Sequence, residues 1–276
     1  MRVTAEGQAG LEAIVASPAG ALIGLDFDGT LSPIVPDPQA ARAHPGAVPA
    51  LTRLAGLVGA VAIITGRPAA DAVRYGGLDA VPGLIVLGQY GWQRWQDGRL
   101  ASPEPPPGVD RARHKLPALI ESAGPAAEGT WIEDKAHALA VHTRRAADPG
   151  DALERLRGPL TKLAAELDLA AEPGRLVVEL RPRGVDKGAA LRGLVGETTA
   201  RSVLYGGDDL GDLAAFDAVR ELRADGIPGC VIASASPETP RVAAAADLVV
   251  DGPDGVVRFL DWLADRISAQ GGELLG

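Results

Sequence analysis

Apolar residues along this chain come in short unbroken runs, each followed by turn residues and then by a helical pattern. The runs are "ALIGL" before Asp26, "GAVAIIT" before Gly66, "GLIVLG" before Gln89, "SVLYGG" before Asp208 and "GCVIAS" before Ala235. Continuous rather than alternating apolar runs suit strands buried on both faces of a parallel sheet. Between them, "AVPALTRLAGLV", "VDKGAALRGLV" and "LGDLAAFDAVRELRADG" carry the spacing of amphipathic helices. The chain ends on another, "DGVVRFLDWLADRI", with Val256, Leu260 and Leu263 on one face. Alternation of this kind predicts an α/β fold built on a doubly wound parallel sheet.

From about residue 101 to residue 183 the texture changes. "ASPEPPPGVD" reads as a proline-rich connection, unsuited to a strand or a helix interior. After it come a helix, "RARHKLPALIESA", interrupted at Pro117, and alternating polar and apolar positions in "TWIEDKAHALAVHTRRA". A second helix, "GDALERLRGPLTKLAAELD", and a strand, "RLVVELRP", follow. This predicts a small α+β domain with a sheet open on one face. The α/β pattern resumes at Gly184, so we read residues 101–183 as an insertion into a core formed by 1–100 and 184–276.

Composition narrows the function. The net charge of −9 argues against a nucleic-acid partner, which normally meets a basic field. An anionic substrate would need locally placed cations, and only four residues are lysines: Lys115, Lys135, Lys162 and Lys187. Cys230 stands alone, which leaves no intramolecular disulfide or cysteine metal cluster. The first twenty residues lack an apolar signal segment, and no stretch approaches the roughly 18 to 20 apolar residues of a membrane span. The expectation is a cytoplasmic protein with no membrane partner, acting as a monomer.

Ligands of open α/β sheets bind beyond the carboxyl ends of the strands. There the sequence gathers Asp26 and Asp28 after the first run, Thr65, Gly66 and Arg67 after the second, and Asp208, Asp209 and Asp212 after a later one. Lys187 opens the helix that follows the insertion. Carboxylates that converge in this way need a cation, and all-oxygen ligation selects a hard one such as Mg²⁺. A hydroxyl and free N–H groups at Thr65–Gly66 favour an anion, and Lys187 adds a compact positive charge. Cation, anion cradle and spare carboxylate together describe a phosphoryl-transfer site.

"DFDGT", "ITGR", "DKGAAL" and "GGDDLGD" resemble, in order, the four motifs of the haloacid dehalogenase superfamily of aspartyl-phosphate phosphatases. The resemblance implies that Asp26 attacks phosphorus and that Asp28 acts as acid and then base. It also implies that Mg²⁺ is held by the Asp26 side chain, the Asp28 carbonyl and Asp208, with Asp209 and Asp212 in support. Thr65, Gly66, Arg67 and Lys187 would hold phosphate. "LDFDGTLSPIV", "GTWIEDKAHALAVHTRR" and "LVVELRPRGVDKGAALRGL" resemble the trehalose-6-phosphate phosphatases through core and insertion. That likeness implies a cap domain and sugar contacts from Glu133, Lys135, Arg144 and Glu179, with hydrolysis of trehalose 6-phosphate in trehalose biosynthesis.

Three positions depart from that family's pattern. Gly88-Gln89-Tyr90-Gly91 stands where Gly-x-His-Gly is usual, Thr143 replaces a Tyr, and Gly211 replaces a Thr. Plainer readings remain beside the functional ones. Glu133 and Lys135 could be a solvated surface pair. His137 and His142 read as surface or sheet residues, Phe27 and Leu31 as core. Trp92, Trp95 and Trp131 could stack on sugars or simply pack. Sucrose-phosphate and mannosyl-glycerate-phosphate phosphatases, a phosphomannomutase-like isomerase and an inactive sugar-phosphate binder share the same core features.

Overall fold

A computed structural model of the chain describes residues 3–35, 37–235 and 240–273. Its strands are β1 (Ala21–Leu25), β2 (Ala60–Ile64), β3 (Ile85–Gly88), β4 (Gln93–Gln96), β5 (Arg99–Ala101), β6 (Trp131–Asp134), β7 (Leu139–His142), β8 (Leu169–Gly174), β9 (Val177–Pro182), β10 (Ser202–Gly207), β11 (Gly229–Ser234) and β12 (Leu248–Val250). Its helices are α1 (Ala5–Ala16), α2 (Ala47–Ala55), α3 (Ala69–Gly76), α4 (Pro107–Ser122), α5 (Pro149–Glu166), α6 (Lys187–Thr198), α7 (Leu213–Ala224), α8 (Pro240–Ala245) and α9 (Gly252–Glu273). Contacts divide the chain into two compact units, 1–102 with 186–276, and 103–185. Among the described residues no helix is long and apolar enough to cross a membrane.

The first unit holds an eight-stranded sheet in the order β12-β11-β10-β1-β2-β3-β4-β5. The six strands from β12 to β3 run parallel, and β4 and β5 add an antiparallel edge. Successive residues of each strand feed opposite cores, as the pleat requires. Ile23, Leu25, Val61, Ile63, Leu204 and Ile232 pack against α1, α2, α3 and α9. Leu22, Ala62, Ile64, Val203, Tyr205 and Val231 pack against α6, α7 and α8. Burial on both sides is why these strands read as unbroken apolar runs. Strand order turns away from β1 in both directions, so the switch point of the sheet falls at β1 and its neighbours β2 and β10.

The second unit is a four-stranded antiparallel sheet, β6-β7-β9-β8. Leu139, Val141, Val178 and Leu180 turn toward α4 and α5 and form a separate core. The alternate positions carry Trp131, Glu133, His142 and Glu179 on the other face.

Several elements differ from the sequence reading. Pro117 does not interrupt its helix: α4 runs through it, as α5 runs through Pro159. Both prolines stand on exposed positions, where water can serve the carbonyl that loses its helical donor. The connection "ASPEPPPGVD" ends inside α4, with Pro107 at the first helical position, where its missing N–H costs nothing. Helix α1, the β4–β5 hairpin, β8, α8 and β12 were not expected.

Helix α1 approaches β11 closely because Gly10 presents no side chain: a Cβ there would collide with the Gly229 carbonyl. Gly10→Ala should therefore lower stability by about 2 kcal/mol or more. Gly193→Ala in α6, where nothing lies within 4 Å of a new Cβ, should raise it by about 0.5–1 kcal/mol. Thermal unfolding of the two variants checks both signs.

Candidate active site

The carboxyl ends of β1, β2 and β10 deliver the residues singled out in the sequence. After β1 the chain turns at once: Gly29 takes φ +73°, and Leu31 and Ser32 both donate their N–H to the Phe27 carbonyl, at 2.8 and 2.9 Å. Phe27 and Leu31 are fully buried and anchor this turn in the core. Asp26 is held in register by its own N–H, which donates to the Gly206 carbonyl of β10 at 2.8 Å. From β11, the Ser234 hydroxyl donates to the Gly29 carbonyl at 2.6 Å.

Lys187, at the first turn of α6, reaches back beneath this turn. Its buried ammonium lies 2.9 Å from Asp26 Oδ1 and 2.7 Å from Asp212 Oδ1. An ammonium has three donors, so one remains after these two contacts. Burial pulls the Lys187 pKa down, but the attraction of Asp212 and Asp26 outweighs it and holds the ammonium protonated well above its ordinary range.

Asp212 is saturated. Its Oδ1 also accepts from the Tyr205 hydroxyl at 2.7 Å, and its Oδ2 accepts the N–H groups of Asp208 and Asp209 at 3.0 and 3.1 Å. Burial pushes its carboxyl up, but Lys187, Tyr205 and the backbone donors prevail and keep it below the usual range. Four contacts use the acceptor capacity of a carboxylate. Asp212 is thus an organiser of the loop, joined to Asp209 by a reciprocal capping box. Gly207 lets it approach, since a Cβ there would collide with the Asp212 side chain.

Asp26 and Asp208 are different. One ligand oxygen from each, with one from Asp212, lies within 4.8 Å of the others, and all three residues are buried. Burial, more than any neighbour, pushes Asp208 up to about 8, and burial with the surrounding acids pushes Asp26 well above its usual range. Buried carboxylates of this kind fit a hard cation, which would reverse both shifts. Gly29 adds a second sign of fit: a Cβ there would collide with the Asp208 carboxylate, so only glycine lets the motif backbone close against it.

Asp28 faces Arg67 across the site in a two-pronged pair, Nε to Oδ2 at 2.5 Å and Nη2 to Oδ1 at 2.6 Å. The Arg67 N–H donates to Thr65 Oγ1 at 3.1 Å, which fixes the loop before α3. Tyr90 leans over that loop: a Cβ on Gly66 would lie 2.9 Å from its hydroxyl, and the Tyr90 N–H donates to the Thr65 carbonyl at 2.9 Å. Tyr90 has φ +60°, a left-handed conformation that costs a side-chain residue energy. Gly211 sits in the short turn Leu210–Asp212.

In the second unit, β-register places Glu133, Ala140 and Glu179 in one row across the sheet. Glu133 and Lys135 do not pair with each other. Lys135 Nζ lies 2.5 Å from Glu179 Oε2, and Glu133 Oε2 lies 2.8 Å from His142 Nε2. Glu179 Oε1 is buried without a hydrogen-bond partner among the described residues. Arg144 is exposed in the turn after β7, and no hydrogen bond or ion pair ties it to the other three. Arg145 instead packs on Trp131, with its guanidinium carbon 4.4 Å from the ring centroid, and His142 stacks on the same ring at 4.6 Å. Thr143 is buried and donates to the Pro149 carbonyl at 2.8 Å, so it serves the local fold. His137 is buried in the β6–β7 turn rather than on the surface, and desolvation lowers its pKa. Trp95 packs against the first core.

The sequence reading missed Tyr205 and Ser234. A tyrosine inside a buried apolar run was the available signal for the first, since its hydroxyl must find a partner.

The raised pKa of Asp208 sets a sign for stability. Its ordinary value is 3.8 and its folded value about 8, so between these the folded chain binds the extra proton. Stability of the cation-free protein therefore falls as pH rises through that window. With chelator, the unfolding temperature should drop between about pH 6 and about pH 8, and Mg²⁺ should restore more of it at the higher pH. An equal effect of Mg²⁺ at both pH values would contradict this account.

Comparison with known proteins places the chain in a family. The profile of the trehalose-phosphatase family matches residues 24–253. A trehalose-phosphate phosphatase of Mycobacterium avium (strain 104) is 34% identical over 255 residues, covering 88% of this chain and 61% of that protein. The chain thus spans about three fifths of that relative's length. The crystal structure of a trehalose-6-phosphate phosphatase related protein superposes with a TM-score of 0.63 at 26% identity, covering 91% of this chain and 99% of the other. The C. albicans trehalose-6-phosphate phosphatase C-terminal domain shares the fold, with a TM-score of 0.73 over 96% of this chain and 98% of the other, at 23% identity. The fold is that of the haloacid dehalogenase-like hydrolases. The chain belongs to the trehalose-phosphatase family.

Proposed function

We propose that the chain hydrolyses trehalose 6-phosphate to trehalose and phosphate through a phosphorylated Asp26. The observation that carries this reading is the division of labour between two aspartates two residues apart. Asp26 is buried against Lys187, while Asp28 is more exposed and gripped by Arg67. One suits a nucleophile, the other a group that gains and loses a proton.

In the first step an Asp26 oxygen bonds to phosphorus as the ester oxygen departs, and the departing oxygen takes its proton from Asp28. In the second, Asp28 removes a proton from water, which attacks phosphorus and releases Asp26. Lys187, the Gly66 N–H and the Thr65 hydroxyl would neutralise the phosphoryl oxygens, since the Thr65 N–H is given to the Leu87 carbonyl and the Arg67 N–H to Thr65 Oγ1. Arg67 grips Asp28 in the two-pronged pair, and a phosphate dianion at Thr65–Gly66 would compete for the same guanidinium and so release the Asp28 side chain toward the departing oxygen. Asp26, the Asp28 carbonyl and Asp208 would hold Mg²⁺, whose charge, when bound, offsets the repulsion between carboxylate and phosphate dianion.

Sugar recognition falls, in this proposal, to the second unit as a cap. Glu179 offers a buried oxygen with no hydrogen-bond partner among the described residues, and Lys135 and Glu133 flank it with a donor and an acceptor. Buried polar groups discriminate strongly against a substrate that leaves them unpaired. Arg144 would have to leave its exposed position to join them.

Phosphate release from trehalose 6-phosphate, sucrose 6-phosphate, glucose 6-phosphate and mannose 6-phosphate tests the reading, with Mg²⁺ and with chelator. We expect selective, Mg²⁺-dependent release from trehalose 6-phosphate, reduced by about a thousandfold or more in Asp26→Asn. Glu179→Gln should raise KM for trehalose 6-phosphate by about tenfold and leave release from glucose 6-phosphate unchanged. Release from the other sugars alone would remove the trehalose assignment, and no release at all would remove the phosphatase.

A further inference from the structure

Beside the catalytic loops, the first unit carries a pocket of about 370 Å³ lined by Gln39, Arg42, Arg74 and Tyr75. It lies between the segment that follows β1 and helix α3. Among the described residues no acidic side chain lines it, in a chain with a net charge of −9. We propose that this pocket is a second anion site, built for the phosphate group of a small molecule and distinct from the catalytic phosphate site.

Three guanidinium groups converge on one aromatic ring. The guanidinium carbons of Arg42, Arg67 and Arg74 lie 5.3, 5.7 and 4.6 Å from the Tyr75 ring centroid. The ring's negative face holds each cation singly; Arg42 and Arg74 are exposed, so water screens much of their mutual repulsion, but no carboxylate between them among the described residues offsets the rest. Their carboxylate partners are unevenly shared. Arg67 takes Asp28 in the two-pronged pair, Arg74 has only Asp71 at 3.8 Å, and Arg42 pairs with no carboxylate among the described residues. A dianion between Arg42 and Arg74 supplies the missing charge.

The donors are also set for it. Arg42 Nη1 is tied to the Gln39 and Ala41 carbonyls at 2.9 and 2.6 Å, which anchors one arm of a guanidinium that lines the pocket. Arg74 Nη2 donates to the Tyr75 hydroxyl at 2.6 Å, so that hydroxyl directs its own proton elsewhere. Paired guanidinium forks with a hydroxyl donor match the oxygens of a phosphate better than a single carboxylate. The volume exceeds that of bare phosphate and lies in the range of small-ligand pockets. Free phosphate and a phosphorylated metabolite share this chemistry. Either would sit one side chain from Asp28, because Arg67 touches both the Tyr75 ring and that carboxylate.

Equilibrium dialysis of the full chain against labelled inorganic phosphate tests the site without needing activity, so its failure and failure of the proposed hydrolysis are distinguishable. Wild type should bind two phosphates, and Arg42→Ala/Arg74→Ala should bind one, or bind the second about tenfold or more weakly. Arg192→Ala/Arg220→Ala removes two exposed arginines elsewhere and should leave both sites intact. Displacement of the second phosphate by glucose 6-phosphate but not by glucose would identify a phosphorylated metabolite as the ligand, and displacement by neither would identify free phosphate. If hydrolysis is present, phosphate inhibition should lose its kcat component in Arg42→Ala/Arg74→Ala and keep its KM component. Unchanged phosphate stoichiometry and affinity in that variant would overturn the proposal, as would an equal loss in the Arg192/Arg220 control.

Discussion

The buried bridge from Asp26 through Lys187 to Asp212 is the interaction on which the rest of this structure depends. It joins the end of β1 to the start of α6 and the turn after β10, which lie far along the chain, through one ammonium ion. Removing any member would leave an uncompensated charge in the interior, where breaking a pair is far costlier than the pair's own net worth. The glycines make the bridge possible. Gly29 and Gly207 each stand where a Cβ would collide with an acid of the cluster. Asp212 completes the arrangement by taking four donors, which makes it the organiser of the loop beside Asp26 and Asp208. The site carries more carboxylates than basic side chains, Lys187 and Arg67 against five aspartates, and that excess is what a hard cation would neutralise.

How much of this was legible in the sequence depends on burial. Strands β1, β2, β3, β10 and β11 were readable because both faces are buried, which leaves a continuous apolar run. The acids were readable because they follow those runs directly. Helix α1 was not, since Gly7 and Gly10 supply part of its buried face and glycine ordinarily argues against a helix. The β4–β5 hairpin is polar and half exposed, and so resembles a loop. Strand β8 ends in Pro173 and Gly174, which look like breakers. As an edge strand it tolerates a proline.

The second unit shows the limit of position-by-position transfer. Glu133, Lys135 and Glu179 come together because strand pleat and register are simple functions of sequence. Arg144 does not, because it lies beyond the end of β7, where the chain turns and the period of two no longer applies. Whether a side chain after a strand faces inward is set by the turn: here Thr143 is pegged to Pro149 and Arg145 is drawn onto Trp131. The cluster around Tyr75 was equally invisible: Arg67 was read as a phosphate ligand, but Arg42 reaches the same ring from the segment after β1, with which α3 shares no sequence pattern.

The central claim is that Asp26 becomes covalently phosphorylated. Rapid acid quench of the Mg²⁺-loaded protein during turnover of trehalose 6-phosphate, followed by peptide mass spectrometry, tests it most directly. The account predicts a phosphoryl group on the peptide containing Asp26, absent without substrate and absent from Asp26→Asn. Turnover with no phosphorylated peptide at any quench time, or with the phosphoryl group on another residue, would contradict it.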